Sequence, residues 1–258
     1  MHHPHRMHRP RYVVITGTIR PPEGVQVDSP IPSSREREYL DALAFYAGLP
    51  DELVRGVLFL ENSDADLTPL RERCVELASH KEFVFFSTSS EYPPERGKRY
   101  GEFMMLDSGL QRLRALGLPG DTEVWKVGGR LKVRNLARLM AEAPPAFDLY
   151  ADFRNLPWLS FVPRSRWLDL RLLAFTLDGY DRHLRGHFED DHVLERAFFE
   201  RLLPAAQDPA SGIVPRFRTQ PRFDSFEVDP HPNPMGRRAR TKSSVRGWLR
   251  RWVPNWWV

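Results

Sequence analysis

RYVVITGTI, residues 11–19, is the stretch on which the fold turns. β-Branched residues dominate it and a glycine lies near its end, so it reads as a buried first strand running into a loop. Beyond a proline-rich passage, Ser33 and Ser34 precede charged residues and an apolar series at Leu40, Leu43, Ala44 and Ala47, which Gly48 and Pro50 close. That spacing predicts a capped helix, and with it a first strand–loop–helix unit. The pattern then recurs. GVLFL (56–60), EFVFFS (82–87) and EVWKV (123–127) read as further strands, and helices are expected over 67–79, from Tyr100 to Leu116, and over 135–142. Strands alternating with helices predict an α/β fold: a mainly parallel sheet with helices on both faces. FDLYADF (147–153) and WLDLRLLAF (167–175) read as strand or mixed segments, and HVLERAFFERLL (192–203) as a helix.

Apolar residues make up 41% and charged residues 28% of the 258, which is ordinary globular usage and excludes a disordered chain. The length suits one domain over residues 11–228, preceded by a His-rich arm (1–10) and followed by a linker and tail (229–258). The single cysteine, Cys74, leaves no intramolecular disulfide and no Cys-pair zinc site. MHHPHRMHRP lacks the apolar core of an export signal and no stretch is long and apolar enough to span a bilayer, so a cytoplasmic location is expected. Residues 230–258 hold seven Lys or Arg and no acid, and taking those seven from the net charge of +4 leaves −3 on the rest. The tail therefore calls for an anionic partner, whereas the body is no general polyanion binder and no nucleic acid is expected.

In open parallel sheets ligands bind beyond the carboxyl ends of the strands. Thr16 and Gly17, Glu61, and Arg130 stand at or beyond three such ends, so they are expected to share one crevice. KVGGR (126–130) has two glycines behind an apolar strand, which let a backbone approach a ligand, and flanking cations suited to phosphate oxygens. The same five residues would also serve as a tight turn with two solvated cations. GKRYGE (97–102) places Glu102 at an expected helix start, where the helix dipole favours it and where it could equally act as a base or hydroxyl ligand. ENSDAD (61–66) holds the D-x-D pair Asp64 and Asp66, read either as a cap of the next helix or as a weak divalent-ion candidate.

Taken together, VVITGTI, SSREREYLDAL, FLENS, KRYGE, WKVGGRLKVRNL, LDLRLLAF and HVLERAFFERLL resemble a family of GT-A-like glycosyltransferases encoded in bacterial capsule and O-antigen loci, over roughly residues 12–225. That family shows an R-x-x-Q-Y element, an E-N-S strand end, a K-G-Y-G-E loop and a K-[VI]-T-G-R-x-x-V-x-N segment. Arg35 matches the first arginine; Glu61, Asn62 and Ser63 the strand end; Tyr100, Gly101 and Glu102 the loop; Lys126, Gly129, Arg130 and Asn135 the last segment. Glu38, Arg99 and Gly128 depart from it, in place of Gln, Gly and Thr. The resemblance implies a GT-A-like, Rossmann-like single domain, a nucleotide-sugar donor and a glycan or lipid-linked acceptor. Under it, Thr16, Gly17, Arg35, Glu61, Asn62, Ser63, Lys126, Gly129 and Arg130 would line the donor site. Tyr100, Gly101 and Glu102 would form the loop beside it. Metal-dependent members of that fold end the corresponding strand in an acidic pair. Here the strand ends in Gly-Gly-Arg, so Lys126 and Arg130 are expected to meet the leaving phosphate and no protein-bound metal is assigned.

Asp152 and Glu195 are further candidate bases, Asp152 with Arg154 facing the acceptor and Glu195 in mid-helix among aromatic residues. Arg171 lies among apolar residues and must pair with an acid or a ligand phosphate if buried. His183, His187 and His192 form no ligand spacing and read as surface residues. In the tail, apolar residues at 245, 248, 249, 252 and 253 fall on one helical face, with Arg246, Arg250 and Arg251 on the rest and tryptophans at 248, 252, 256 and 257. This is the pattern of an interfacial helix on an anionic membrane surface, over residues 237–258, although the same residues would also suit a tail packed on the protein's own surface or a nucleic-acid contact. A cytoplasmic enzyme peripheral to the inner membrane face would combine all these features. The rival reading is a non-catalytic, membrane-associated protein with a degenerate nucleotide-binding fold.

Overall fold

A computed structural model of the chain describes residues 9–21, 32–78, 80–88, 92–156, 164–188 and 193–224. The His-rich arm up to residue 8, His192 and the tail from 225 onward lie outside the described residues.

In chain order the elements are β1 (Arg11–Gly17), α1 (Pro32–Ala47), β2 (Gly56–Glu61), α2 (Thr68–Leu77), β3 (Glu82–Ser87), α3 (Gly97–Ala115), β4 (Glu123–Gly128), β5 (Lys132–Val133), α4 (Leu136–Ala141), β6 (Leu149–Asn155), β7 (Arg166–Thr176), α5 (Leu177–His183), α6 (Leu194–Ala206), β8 (Ile213–Val214) and β9 (Phe223–Asp224). Seven strands form one sheet in the order β3-β2-β1-β4-β7-β6-β8, and β5 pairs with β9 apart from it. β7 alone runs antiparallel to its neighbours, while the pairs of β1 with β2 and β4, β2 with β3, and β6 with β8 are parallel. The α/β fold with a mainly parallel sheet is thus as the sequence predicts.

Strand alternation divides the core. Val13, Ile15, Val57, Phe59, Trp125 and Val127 face α1, α2 and α4, whose Tyr39, Leu43, Tyr46, Leu70 and Leu139 complete one cluster. Val14, Leu58, Leu60 and Val124 face the other way, against Phe103, Leu106 and Leu110 of α3 and Phe198, Phe199 and Leu202 of α6. Each buried Leu or Phe of this kind contributes about 1.5–3 kcal/mol from burial alone, which is what fixes the helices to the sheet.

Several boundaries differ from the sequence reading. Helix α3 starts at Gly97, whose φ of 74° follows directly on a 3-10 turn at Pro94–Arg96, so Glu102 lies inside the helix and not at its start. Helix α6 begins at Leu194 and passes through Pro204 to Ala206, which packs in the core. Glu195 therefore stands in its first turn and not in mid-helix. FDLYADF and WLDLRLLAF resolve into β6 and β7, and α5, β5, β8 and β9 have no sequence counterpart above.

Between β6 and β7 the register jumps from Ala151↔Leu173 to Asp152↔Asp169. Leu170, Arg171 and Leu172 consequently have no partner on β6, and such a bulge re-aims side chains and frees carbonyls from the ladder. It sits beside the carboxyl end of β4, where the freed Leu170 carbonyl accepts from Lys126 Nζ at 2.7 Å.

Candidate functional site

Two groups of polar residues sit at the carboxyl ends of the parallel strands, on opposite faces of the sheet. The first is centred on Glu102. Its Oε1 accepts from Thr16 Oγ1 at 2.8 Å and lies 2.6 Å from Lys126 Nζ, while Oε2 accepts from Arg99 Nη1 at 2.6 Å. Arg99 also reaches Glu195 Oε1 at 3.1 Å. Thr16 and Lys126 alternate with core residues of β1 and β4, so both project toward α3, and Lys126 Nζ lies 5.8 Å from the Phe103 ring centroid.

Burial alone would push the Glu102 carboxyl up, but Lys126 and Arg99 outweigh it and hold the group at about 2. Burial lowers the Lys126 ammonium, against the pull of Glu102. Arg99 is shifted up: burial acts to lower it, and the two carboxylates more than offset that. A carboxylate held at about 2 is a weak proton acceptor at neutral pH. Glu102, expected as a base, is found anchoring three elements. Lys126, expected to meet a ligand phosphate, has a side chain 0% exposed, with its ammonium on Glu102 and the Leu170 carbonyl.

Above this layer lies the turn after β4. Gly129 has φ 60° and nothing within 4 Å of a Cβ placed on it, and its N–H is 3.5 Å from Thr16 Oγ1. A Cβ on Gly128 would stand 3.3 Å from Glu102 Oε1 and 3.7 Å from the Arg171 carbonyl and Arg99 Nη1, so the turn rests on the charged layer. Arg130 pairs with Glu38 of α1, the residue that replaces the glutamine of the resembling family.

Next to the turn, the bulge sets Asp152 opposite Asp169. Asp169 accepts from the Arg171 backbone N–H at 3.1 Å, from Nε at 2.9 Å and from Nη2 at 2.6 Å, and Arg154 lies 3.7 Å away. Burial works to raise the Asp169 carboxyl, and the Arg171 hydrogen bonds and charge hold it below the usual range. Arg171 thus pairs with an acid as expected, while its guanidinium stacks 4.3 Å from the Phe223 centroid with 44% of the side chain exposed. Asp152 is buried, only 6% exposed.

The second group holds the loops after β1 and β2 together. Glu61 is fully buried and accepts from the backbone N–H of Ile19, Ser63 and Ala65 and from the hydroxyls of Ser63 and Ser87. Asn62 Oδ1 accepts from Thr18 Oγ1 at 2.6 Å and Ser63 Oγ from Arg20 N–H at 2.9 Å. Arg35 donates to the Thr18 carbonyl at 2.7 Å and lies over Tyr39, whose hydroxyl accepts from Thr18 N–H at 2.9 Å. Gly17 is required by packing, since a Cβ would come 2.8 Å from Phe59. Arg35, Glu61, Asn62 and Ser63 thus shape the loop at residues 17–20, and Glu61 spends both carboxylate oxygens doing so.

Tyr100 packs edge-on against Phe188 and at a tilt against Tyr92, and a Cβ on Gly101 would lie 2.2 Å from the Tyr92 ring. The N-cap of α2 is Leu67, with no side-chain cap bond; Asp66, one residue earlier, accepts from Thr68 N–H at 2.9 Å, and Asp64 sits at φ 52°. His183, read as a surface residue, is instead packed with a side chain 10% exposed, 3.6 Å from Asp148. A cavity of about 410 Å³ lined by Ala44, Ala47, Leu49, Pro50, Leu77 and His80 opens at the other ends of the strands and includes none of the site residues.

The sequence reading named every member of the Glu102 layer except Arg99 as a charge partner and the Leu170 carbonyl. The departure of Arg99 from the resembling family's glycine was a signal for the first, and nothing in the sequence signals the second.

The site thus described belongs to a mainly parallel α/β protein with a charged layer under a glycine turn at the carboxyl ends of β1 and β4. No family model matches the chain, and no curated protein matches it. Among solved structures, it is similar to a putative nucleotide-diphospho-sugar transferase from Desulfovibrio desulfuricans G20, at TM-score 0.42 and 10% identity over 75% of each chain. It is similar also to the galactosyltransferase LgtC in complex with donor and acceptor sugar analogs, at TM-score 0.39 and 12% identity over 74% of this chain and 70% of that one. Likeness at this level assigns no activity.

Proposed function

We propose that the protein is a glycosyltransferase that takes a sugar from a nucleotide-activated donor and passes it to a lipid-linked or surface polysaccharide acceptor. The observation that carries this reading is the turn after β4: Gly129 is left-handed under open space, its N–H lies 3.5 Å from Thr16 Oγ1, and Arg130 follows it. A backbone free of side-chain bulk and edged by guanidinium groups admits a diphosphate closely. The motifs shared with capsule and O-antigen glycosyltransferases point to a nucleotide sugar as the molecule that carries that diphosphate.

In such a transfer the acceptor hydroxyl forms a bond to the anomeric carbon, the bond to the nucleoside diphosphate breaks, and a carboxylate takes the hydroxyl proton. Glu102 is taken up by Thr16, Lys126 and Arg99, so that proton is assigned to Asp152, on the bulge beside the turn, or to Glu195. Arg130 exchanges its Glu38 carboxylate for the leaving phosphate, and Lys126 supports the turn from below by keeping Glu102 in place. The donor set at the turn, two glycines and an arginine, does not suit a divalent cation. Among the described residues no group of three or more His, Cys, Asp and Glu could hold one. Transfer should persist in excess chelator, and activity abolished by chelator and restored by manganese would overturn the metal-free mechanism.

No helix among the described residues is long and apolar enough to cross a membrane. The tail at residues 237–258, with its cations and tryptophans, supports a peripheral location on the inner face of the cytoplasmic membrane, where lipid-linked acceptors lie. Flotation with anionic liposomes should be lost when residues 237–258 are removed. For the central reading, a thermal-shift panel of nucleoside diphosphates and nucleotide sugars decides, because a ligand of the native state raises apparent stability. No response to any of them, with flotation intact, would replace this reading by a non-catalytic membrane-associated protein.

A further inference from the structure

We infer that β3 is the contact through which two copies of this chain form a dimer, by antiparallel pairing of their outer sheet edges across a two-fold axis. β3 ends the order of the sheet, and among the described residues β2 is its one strand neighbour. Glu82 N–H bonds to the Arg55 carbonyl and Thr88 N–H to the Glu61 carbonyl, so the even-numbered residues of β3 address β2. In a parallel strand the backbone groups of alternate residues point to opposite sides, which turns those of Phe83, Phe85 and Ser87 outward. An outward row of donors and acceptors is a template for another strand unless side chains defend it.

From Phe83 to Ser87 the edge carries no charge. The one charge of EFVFFS, Glu82, stands at its first position, exposed, where it accepts from Tyr12 Oη at 2.6 Å and Arg55 Nε at 2.7 Å. Phe83, Val84, Phe85 and Phe86 are all half-buried, as they would be with a neighbour missing on one side. Arg71 of α2 lies over Phe85, 5.7 Å from its ring centroid, and Val75, one turn further along the same helix face, is 49% exposed. Val75, Phe83 and Phe85 therefore form an apolar strip along the edge.

The pattern is self-complementary, which is why a second copy is the partner and not an unrelated strand. In the register that centres on Phe85, Phe85 meets its own equivalent, Phe83 meets Ser87, Val84 meets Phe86 and Glu82 meets Thr88. No like charges face each other within the strands, and the apolar side chains fall opposite apolar ones on one face and opposite a ring or a small hydroxyl on the other. Two seven-stranded sheets would become one continuous sheet, with both α2 helices on the same side of it.

Sedimentation velocity on the full chain over about 1–100 µM, a range spanning common dimer affinities, should show a dimer. Under the same conditions the amides of Phe83, Phe85 and Ser87 should be protected from hydrogen exchange. The E82C/T88C double variant should oxidise to a covalent dimer while either single variant stays a monomer under denaturing conditions. A monomer at every concentration overturns the inference, and so does a dimer whose Phe83, Phe85 and Ser87 amides exchange freely.

Discussion

Lys126 Nζ on β4 lies 2.6 Å from Glu102 Oε1 on α3, with the two side chains 0% and 11% exposed. This buried pair joins helix to sheet directly beneath the Gly128–Gly129 turn. Removing one partner of a buried pair leaves an uncompensated charge, at a cost of about 3–5 kcal/mol. Glu102→Leu should therefore destabilise by that order in chemical denaturation. Adding Lys126→Met should recover most of the loss, and strictly additive costs would show that the two charges are uncoupled.

The same pair sets an acid limit. The folded-state pKa of Glu102, at about 2, is below its usual 4.5, so its contribution is fully present above pH 4.5 and is lost as pH falls toward 2. Linkage over that interval amounts to about 3 kcal/mol, with Asp169 acting in the same direction. Stability measured from pH 5 to 2 should fall more steeply in the native protein than in Glu102→Gln.

Two glycines should respond differently to alanine. At Gly179 a Cβ would lie 2.1 Å from the Asp148 backbone oxygen, which cannot move aside cheaply. Gly179→Ala should cost more than about 3 kcal/mol by overpacking. At Gly129 there is open space and the penalty is that of φ 60°, about 1–2 kcal/mol. Gly129→Ala should fold, with the lower melting temperature of a mild variant, and should weaken nucleoside diphosphate binding more than its stability loss explains.

Glu61→Gln keeps the shape but presents an amide NH2 to a cage of donors. Leaving buried donors unmet costs about 1–3 kcal/mol. Hydrogen exchange at Ile19 and Ser63 should rise in this variant, and unchanged protection there would remove Glu61 as the organiser of the loop.

Much of the sheet was legible because its strands are short apolar runs. RYVVITG, GVLFL and EVWKV each bury both faces in a parallel sheet and EFVFFS half-buries both, which leaves a continuous apolar signature. The helices between them showed in their spacing. β7 was ambiguous because WLDLRLLAF mixes charges into an apolar run, and the charges proved to belong to a bulge where Asp169 and Arg171 pair with each other. Glu195 was legible as a candidate base but its ion pair was not, since its partner Arg99 is remote in sequence and the two meet only when α6 packs over α3.

The sequence by itself determined the class of fold and which residues stand at the carboxyl ends of the parallel strands, because periodicity and glycine placement are local properties that each segment carries alone. Which charges remain open to a ligand was decided only by the tertiary structure. Lys126 and Glu61 look like site residues in the linear chain, yet folding brings to each the partners that consume its charge, and those partners come from other elements through contacts no local pattern encodes.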